Sequence, residues 1–426
     1  MTIALICFVV TLLVGVPIAF VLALTGILHL GAIDWSYLAV VPQRMFAGIN
    51  SSSLTCIPFF IVAGELMNGG GVTKRLMEFV KELVGYVKGG LAYATIVTSA
   101  ILSAILGSPN AVSSILCSVL LPDLKKDGYD MEFGGALIAA SGVLGPIIPP
   151  STTFVIFATL SGVSVKGLFM AGIIPGILIA VAYAVVVALY VRKKQLPRAI
   201  DHINGKRLLS TFLKAIPALV VPLVIVGGVM TGAFTPTESG AVSCVAAIVA
   251  GMIYRSFDFK QLPQMLLRAG STSAAILFII AAGNILGYSL EVDNIPSRVA
   301  SAVLAWTSNK NLIILLLLLV MIVIGCLMEA TAAITIFTPV MMNIVTAIGM
   351  DPLHFGLVFC IMMTIALITP PVGMLLFVTS NISKIELTRL NRAILPFCLA
   401  ALVVTFALAY LPDVALFFPR LFGYGA

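Results

Sequence analysis

The sequence predicts an all-α protein that crosses a membrane many times and consists of two inverted repeats. Of its 426 residues, 61% are hydrophobic and only 10% are charged, and the mean hydropathy is +1.17. Soluble domains carry far more charge, so this composition excludes them. The other two supporting observations are a repeated sequence pattern and a pair of prolines in each repeat.

Many apolar segments have the length of membrane-spanning helices, since a helix needs about 20 residues to cross a bilayer. They are predicted at residues 4–33, 53–68, 91–121, 133–163, 168–191, 214–232, 236–253, 272–290, 311–345, 354–380 and 393–417. Two of them are interrupted, 91–121 at residues 107–110 and 311–345 at residues 325–331. Because their arms are mostly shorter than a full span, we expect each to form a re-entrant helical hairpin.

The repeat is visible in the stretches SSSLTCIPFFIVAGE and GSTSAAILFIIAAGN, at residues 51–65 and 270–284. The register continues through both hairpins and both proline pairs at a nearly constant offset. An odd number of predicted crossings separates the two starts, so the second copy enters the membrane from the opposite side. The predicted domains are residues 1–50 (first span and outer loop), 51–191 (repeat 1), 192–269 (basic loop and linking spans) and 270–426 (repeat 2).

The positive charges predict which loops face the cytoplasm. If the loop at residues 192–213 is cytoplasmic, alternation of the spans places most of the 24 lysines and arginines on that side. The exceptions are Arg44, Lys166, Arg298, Lys310 and Arg420. This asymmetry is typical of a protein with a cytoplasmic N-terminus and, here, an external C-terminus. It also explains the net charge of +7 without a nucleic-acid partner.

The pairs Pro149-Pro150 and Pro370-Pro371 break the helices that contain them. Proline has no N–H and its ring clashes with the carbonyl one turn earlier, so each pair releases two carbonyls. These are the carbonyls of Gly145, Pro146, Ala366 and Leu367. Inside a membrane they need a partner, which is a neighbouring helix, a trapped water or a hard cation such as Na⁺. Helices broken at matched positions indicate a secondary transporter.

The hairpin tips carry polar groups at membrane depth. The first tip, GSPN at residues 107–110, is either a plain turn or a binding site, and its depth favours a site. The second tip contributes Glu329 and Thr331. Glu329 is either a charge solvated in a water-filled funnel or a ligand for Na⁺ or a proton. We favour Na⁺, because carbonyl and hydroxyl oxygens replace a hydration shell but do not carry protons at neutral pH.

Hydroxyl groups follow both breaks, with Ser151, Thr152 and Thr153 after the first. They suit an anionic or polyhydroxylated solute at a helix N-terminus, but ordinary N-capping explains them equally well. Glu238 belongs to a predicted capping box that begins at Thr235. Glu65 is expected to end a helix near the cytoplasmic face and is assigned no site.

Two amphipathic stretches, residues 73–88 and 296–308, each follow the first span of a repeat. They are either linkers lying at the membrane surface between two moving bodies or simple connectors. Nothing in the sequence indicates catalysis, since neither an HExxH nor a GxSxG motif occurs. The seven cysteines lack the paired spacing of a metal site or a disulfide framework. We therefore predict that the protein is not an enzyme and has no catalytic residue.

These motifs together resemble the large membrane subunit of tripartite ATP-independent periplasmic (TRAP) transporters, most closely the sialic-acid members. The resemblance rests on GAFTPTESGA at residues 232–241, GSPNA at 107–111, MEATAA at 328–333 and the two Pro-Pro breaks. It implies an elevator-type, Na⁺-coupled uptake of an organic acid across the bacterial inner membrane. It also implies a small four-helix membrane subunit and a periplasmic substrate-binding protein as partners. The alternative is a Na⁺-coupled carboxylate carrier that needs no binding protein.

The resemblance further implies at least two Na⁺ sites. The first resembles Ser103, Ser108 and Asn110 with carbonyls near Gly145, Ile148 and Pro150. The second resembles Gly325, Glu329 and Thr331 with groups near Thr369, Gly373 and Met374. Substrate is expected at Asn110, Ser151, Thr152 and Thr331.

Overall fold

The computed structural model describes residues 2–194, 196, 198, 200 and 204–424, so part of the predicted basic loop lies outside the described residues. Within them every regular element is a helix and no β-strand is present, which confirms the all-α prediction. Seven of the described helices are long and apolar enough to cross a membrane. These are Val165–Lys194, Gly205–Thr231, Pro236–Ile253, Leu262–Val292, Lys310–Leu327, Ala330–Ala347 and Leu387–Tyr410.

The first apolar segment, predicted as continuous from residue 4 to 33, is divided into two helices. They are α1 (Thr2–Leu13) and α2 (Ile18–Ile33). Gly15 has a φ of +84° between them, and Pro17 precedes α2, so the helix cannot run through this turn. A short 3₁₀ turn then leads to α3 (Val41–Ile49) and α4 (Cys56–Gly69).

The first repeat continues with α5 (Val72–Val84) and then the first hairpin, α6 (Gly90–Leu106) and α7 (Pro109–Lys126). The interruption lies where the sequence predicted it, because Gly107 has a φ of +58° and Pro109 begins the second arm. The broken helix consists of α8 (Met131–Gly142) and α9 (Thr152–Ser161). The break between these two helices contains Pro149-Pro150.

The linking spans are α10 (Val165–Lys194), α11 (Gly205–Thr231) and α12 (Pro236–Ile253). The predicted capping box at the start of α12 is confirmed. The side chain of Thr235 accepts from the N–H of Glu238, and the Glu238 carboxylate accepts from the N–H of Thr235. Glu238 is therefore a structural residue, as expected.

The second repeat has the same order of elements. It contains α13 (Leu262–Val292), α14 (Ile295–Trp306), the hairpin α15 (Lys310–Leu327) and α16 (Ala330–Ala347), and the broken helix α17 (Pro352–Ala366) and α18 (Met374–Ser383). The last elements are α19 (Leu387–Tyr410), α20 (Pro412–Ala415) and α21 (Phe417–Leu421).

The helices pack into two groups. In the outer bundle, α4 packs against α12 and α13, while α13 also packs against α2 and α3, and α11 packs against α12. In the hairpin bundle, the two hairpins and two broken helices pack on one another and on α10 and α19. The cavity described below lies where the two bundles face each other.

Two amphipathic helices connect the bundles. Helix α5 packs against α11 and leads into the first hairpin, and α14 packs against α16 and leads into the second. Both lie where the sequence predicted amphipathic stretches. The repeats thus match in their connectors as well as in their hairpins and breaks.

Candidate functional site

Both hairpin tips lie at one internal cavity of about 480 Å³. The first tip contributes residues 107–111 and the second contributes residues 329–331. Pro146 and Leu367, from the two helix breaks, line the same cavity. Larger hollows of about 740 and 650 Å³ lie beside α5 and α11, and one of about 570 Å³ lies beside α15, all away from the tips and breaks; another of about 610 Å³ touches the first break at Ile148 but neither tip. We assign the candidate site to the smaller cavity, because the matched features of both repeats converge there.

The outer bundle forms the opposite wall of this cavity. One face of α4 contributes Ile61, Gly64 and Glu65, and one face of α13 contributes Thr272, Ala275, Ile276 and Ile279. Spacings of three and four residues place each set on a single helix face. The cavity therefore lies between the two bundles and is not enclosed by one of them.

Glu65 is a residue that the sequence interpretation missed. We expected it to end a helix near the cytoplasmic face, but α4 continues to Gly69 and Glu65 lines the cavity. Its alignment with the uncharged Asn284 was misleading, because α4 and α13 present different parts of the aligned stretch to the cavity. An acidic side chain within the apolar run CIPFFIVAGELM was the signal that could have identified it.

The first break brings Ser103 next to Gly145. A Cβ built on Gly145 would lie 3.4 Å from the Oγ of Ser103. Ser103 is fully buried, and among the described residues its Oγ has no hydrogen-bond partner. Within the described part of the chain, the carbonyl of Gly145 accepts no hydrogen bond either. A buried hydroxyl and a released carbonyl side by side are suitable ligands for a hard cation.

The second carbonyl released at this break has partners within the protein. The hydroxyls of Ser151 and Thr153 both donate to the carbonyl of Pro146, the latter at 3.3 Å. Ser151 also accepts from the N–H of Phe154 at 3.2 Å and is fully buried. The geometry thus favours N-capping for Ser151, whereas Thr152 and Thr153 line the cavity.

The first tip places Ser108 and Asn110 on the cavity wall. Ser108 is the N-cap of α7 and accepts from the N–H of Ala111 at 3.5 Å. A Cβ on Gly107 would lie 3.7 Å from the carbonyl oxygen of Pro150, so the tip lies directly against the first break. Ile148 lies within the same break, and its side chain packs against Gly176 of α10.

The second tip holds the carboxylate of Glu329 in a fixed position. Its two oxygens accept separately from the hydroxyl of Thr331, at 3.0 Å, and from the N–H of Ala332, at 3.2 Å. Glu329 is the N-cap of α16, where a negative charge is favoured by the helix dipole. Glu329 and Thr331 both line the cavity.

The second break differs from the first in its hydrogen bonds. The carbonyl of Leu367 accepts from the N–H of Leu375 at 3.0 Å, and that of Ala366 accepts from the N–H of Thr369 at 3.1 Å. Both carbonyls that we expected to be released are therefore paired with the backbone. Gly373 begins the resumed helix with a φ of +51°, a conformation that glycine adopts readily.

Close packing holds the second tip against the second break. A Cβ on Gly325 would lie 2.3 Å from the Cβ of Ala366, so only glycine fits there. The thiol of the adjacent Cys326 donates to the carbonyl of Thr369 at 3.8 Å. Met374 reaches the cavity itself. The predicted residues of the second cation site thus lie in one region around the tip and the break.

The predicted cation ligands near both tips are hydroxyl and carbonyl oxygens. The residues predicted for the second cation site also include one carboxylate. Among the described residues no cluster of three or more His, Cys, Asp or Glu side chains could hold a metal ion. Hydroxyl, carbonyl and carboxylate oxygens are the ligands that hard cations take. The residues present fit Na⁺ on that chemical ground.

Paired hairpins and broken helices that meet at an internal cavity define a multi-pass membrane transport protein. The chain belongs to the family described as "Tripartite ATP-independent periplasmic transporter, DctM component", which matches residues 5–414. This confirms the resemblance to the large TRAP membrane subunit. Family members are transporter permeases and not enzymes, and the tripartite system implies a small membrane subunit and a periplasmic binding protein.

Several relatives are similar over nearly the whole chain. The 2,3-diketo-L-gulonate TRAP transporter large permease protein YiaN of Escherichia coli is 33% identical, covering 94% of each chain. The C4-dicarboxylate protein DctM of Pseudomonas aeruginosa is 35% identical, covering 89% of each. The sialic acid protein SiaM of Vibrio cholerae is 32% identical, covering 97% of each.

A solved structure supports the fold. The YdaH transporter of Alcanivorax borkumensis superposes with a TM-score of 0.66 at 14% sequence identity, covering 90% of this chain and 89% of that one. At this identity the similarity concerns the architecture alone. It agrees with the architecture described above.

Proposed function

We propose that this chain is the permease of a Na⁺-coupled uptake system for an organic acid, with sialic acid as the first candidate substrate. The observation that carries the proposal is the convergence of both hairpin tips and both helix breaks on one cavity. Family membership supports an organic acid, because relatives are named for sialic acid, C4-dicarboxylates and a diketogulonate.

At least two Na⁺ ions are proposed, one for each repeat. The unpartnered hydroxyl of Ser103 beside Gly145 supports the first site, which also takes Ser108 and Asn110. The carboxylate of Glu329 beside Thr331 supports the second. The two donor sets differ by one charge, so we expect the second site to bind its cation more tightly.

The substrate carboxylate is proposed to lie between the tips, near Asn110, Thr152 and Thr331. All three line the cavity. Thr152 is the first residue of α9, whose N-terminal N–H groups and dipole favour a negative charge. Bound Na⁺ would add to this attraction, which couples uptake of the acid to the ion gradient.

Transport is proposed to occur by an elevator movement of the hairpin bundle against the outer bundle. The cavity lies between the two bundles, so such a movement would carry it across the membrane. It is lined by the second half of α4 and the first half of α13. In the topology predicted from the charges both halves are cytoplasmic, so the conformation described above is inward-facing.

The proposed partners are a small four-helix membrane subunit beside the outer bundle and a periplasmic binding protein that delivers the acid. The proposed location is the bacterial inner membrane, with the N-terminus in the cytoplasm and the C-terminus in the periplasm. The competing possibility is a self-sufficient Na⁺-coupled carboxylate carrier.

The test is uptake of labelled sialic acid into proteoliposomes that contain the chain with its small partner, with or without an inward Na⁺ gradient and external binding protein. Uptake that needs both is the expected result. Uptake without the binding protein would show that the chain is a self-sufficient carrier. Uptake driven equally well without Na⁺ would contradict the coupling.

A further inference from the structure

The charges around the cavity are of one sign. Of the described residues that line it, Glu65 and Glu329 are acidic and none is a lysine, arginine or histidine. The two acids come from opposite sides, Glu65 from α4 in the outer bundle and Glu329 from the second hairpin tip. None of the described cavity residues is therefore a cation that could neutralise a substrate carboxylate.

The two acids are in different situations. Both oxygens of Glu329 accept hydrogen bonds from its own tip. Glu65 is partly exposed, and among the described residues its side chain has no hydrogen-bond or ion-pair partner. Ile61 and Gly64 share its helix face and also line the cavity, so that face is directed toward the cavity.

An ionised carboxylate is a hydrogen-bond acceptor only. It attracts O–H and N–H groups of a ligand, and it repels a second carboxylate in a low-dielectric site. The proposed position of the substrate carboxylate is at the hairpin tips, where the proposed Na⁺ ions and the N-terminus of α9 would balance its charge. The other end of the solute then meets the outer bundle and Glu65.

We propose that Glu65 determines substrate specificity by accepting hydrogen bonds from hydroxyl groups of a polyhydroxylated monocarboxylate, so that sugar acids bind and C4-dicarboxylates are rejected. The inference rests on the proposed function for the position of the substrate carboxylate. A cavity of about 480 Å³ lies within the roughly 300–1,000 Å³ of ligand pockets, so a sugar acid can be accommodated.

Because Glu65 belongs to the outer bundle, it contacts the solute only when the hairpin bundle is in the position described above. In an elevator cycle this contact would form and break once per turnover. The effect of Glu65 should therefore be measured on the purified permease complex itself, where selection by the binding protein does not interfere.

The experiment is a thermal-unfolding titration of the purified complex of this chain with its small subunit, in NaCl, with N-acetylneuraminate, gluconate and succinate. We expect the two sugar acids to raise the unfolding temperature at concentrations at least about tenfold lower than succinate, as a hydrogen bond to a charged group implies. Glu65→Gln should reduce this preference at least about tenfold, because the charge that repels the second carboxylate is removed.

Glu78→Gln is the matched control, since Glu78 is an exposed acid on α5 outside the cavity, and it should retain the wild-type preference. Equal stabilisation by succinate and sugar acids, an unchanged preference in Glu65→Gln, or stabilisation by none of the three solutes would overturn the inference. Repeating the titration in choline chloride separates the two proposals. A sugar-acid preference that survives without Na⁺ contradicts the coupling but not the role of Glu65.

Discussion

The hydroxyl of Thr331 donates a hydrogen bond of 3.0 Å to one carboxylate oxygen of Glu329, two residues earlier in the second hairpin tip. The other oxygen accepts from the N–H of Ala332. These bonds orient the carboxylate at the start of α16. The carboxylate that we propose as a cation ligand is therefore held in place by the hydroxyl beside it.

Removing either polar group from the tips should impair Na⁺-driven uptake. We expect Glu329→Ala and Asn110→Ala to abolish uptake while the protein still inserts into the membrane, because each removes a proposed cation ligand. Thr331→Val should raise the Na⁺ concentration for half-maximal uptake at least about tenfold, whereas Thr331→Ser should not, since only the hydroxyl is needed. Initial uptake rates over a series of Na⁺ concentrations measure both effects. Full transport by the alanine variants would refute the site assignment.

Replacing Ser103 tests its role, because a structural role and a cation-ligand role predict different effects on the stability of the Na⁺-free protein. Its buried hydroxyl has no hydrogen-bond partner in the part of the chain that the structure describes, so Ser103→Ala should leave the Na⁺-free protein as stable as the wild type or slightly more stable. The same variant should lose the rise in unfolding temperature that Na⁺ produces at the first site. Thermal unfolding with and without NaCl separates the two contributions.

Ser243→Ala is a suitable control for this experiment. Ser243 is also fully buried, but its hydroxyl donates to the carbonyl of Gly240 at 2.6 Å and lies on α12 in the outer bundle. The Ser243→Ala variant should be less stable by about 1 kcal/mol, and Na⁺ should still raise its unfolding temperature. If Ser103→Ala loses stability in the same way and still responds fully to Na⁺, Ser103 is a structural residue.

The close contact between the bundles at Gly283 predicts that a larger side chain at this position causes a steric clash, and that a smaller side chain at the contacted position relieves it. A Cβ on Gly283 of α13 would lie 2.0 Å from Cγ2 of Thr335 on α16. Gly283→Ala should therefore disfavour this arrangement of the bundles by about 1–3 kcal/mol and slow uptake. Thr335→Ser removes the methyl group but retains the hydroxyl, which donates to the carbonyl of Thr331.

The double variant Gly283→Ala with Thr335→Ser should regain most of the uptake rate lost in Gly283→Ala. Uptake rates of the four proteins form a double-mutant cycle whose coupling energy reports the contact. Additive effects of the two substitutions would show that Gly283 and Thr335 do not meet during transport.

The loop before α8 predicts a pH dependence of stability. Lys194 donates to Asp130 at 2.9 Å, and this hydrogen bond holds the pKa of Asp130 below its usual range. The ionised carboxylate therefore stabilises the folded state above the ordinary aspartate pKa, and this contribution is lost as the pH falls through the lower folded value. Asp130→Asn should cost up to about 1 kcal/mol at pH 7 and progressively less below pH 4, measured by thermal unfolding.

The neighbouring Asp127 supplies a control of opposite sign. Burial raises its pKa, so the charged form is disfavoured in the folded protein. Asp127→Asn should therefore leave stability at pH 7 unchanged or increase it. A loss of stability at pH 7 in Asp127→Asn equal to that in Asp130→Asn would contradict this account of the loop.

Much of the architecture was predictable from the sequence because it depends on backbone rules. Single prolines such as Pro175 and Pro339 are tolerated inside helices, but paired prolines and glycines of positive φ interrupt them, so the hairpin tips and the breaks at Pro149-Pro150 and Pro370-Pro371 lie where expected. The division of the first apolar segment follows the same rule, but Gly15 and Pro17 had been read as part of one continuous span.

The details of the site depend on tertiary contacts that local rules do not specify. Proline chemistry releases four carbonyls, yet hydroxyls satisfy that of Pro146 and backbone N–H groups satisfy those of Ala366 and Leu367. The cavity role of Glu65 depends on which face of α4 meets the hairpin bundle. Sequence alignment of the repeats could not reveal this, because the two copies use different parts of the aligned helix.

The short links between amphipathic helices and hairpins set a mechanical limit on the protein. Only residues 307–309 separate α14 from α15, a reach of about 11 Å when fully extended. A larger vertical displacement of the second hairpin must therefore carry α14 with it. The bend would then fall at the other end of α14, where Asn294 already has a φ of +53°. The length of helix α14, more than that of any flexible loop, would then limit how far the second hairpin can move.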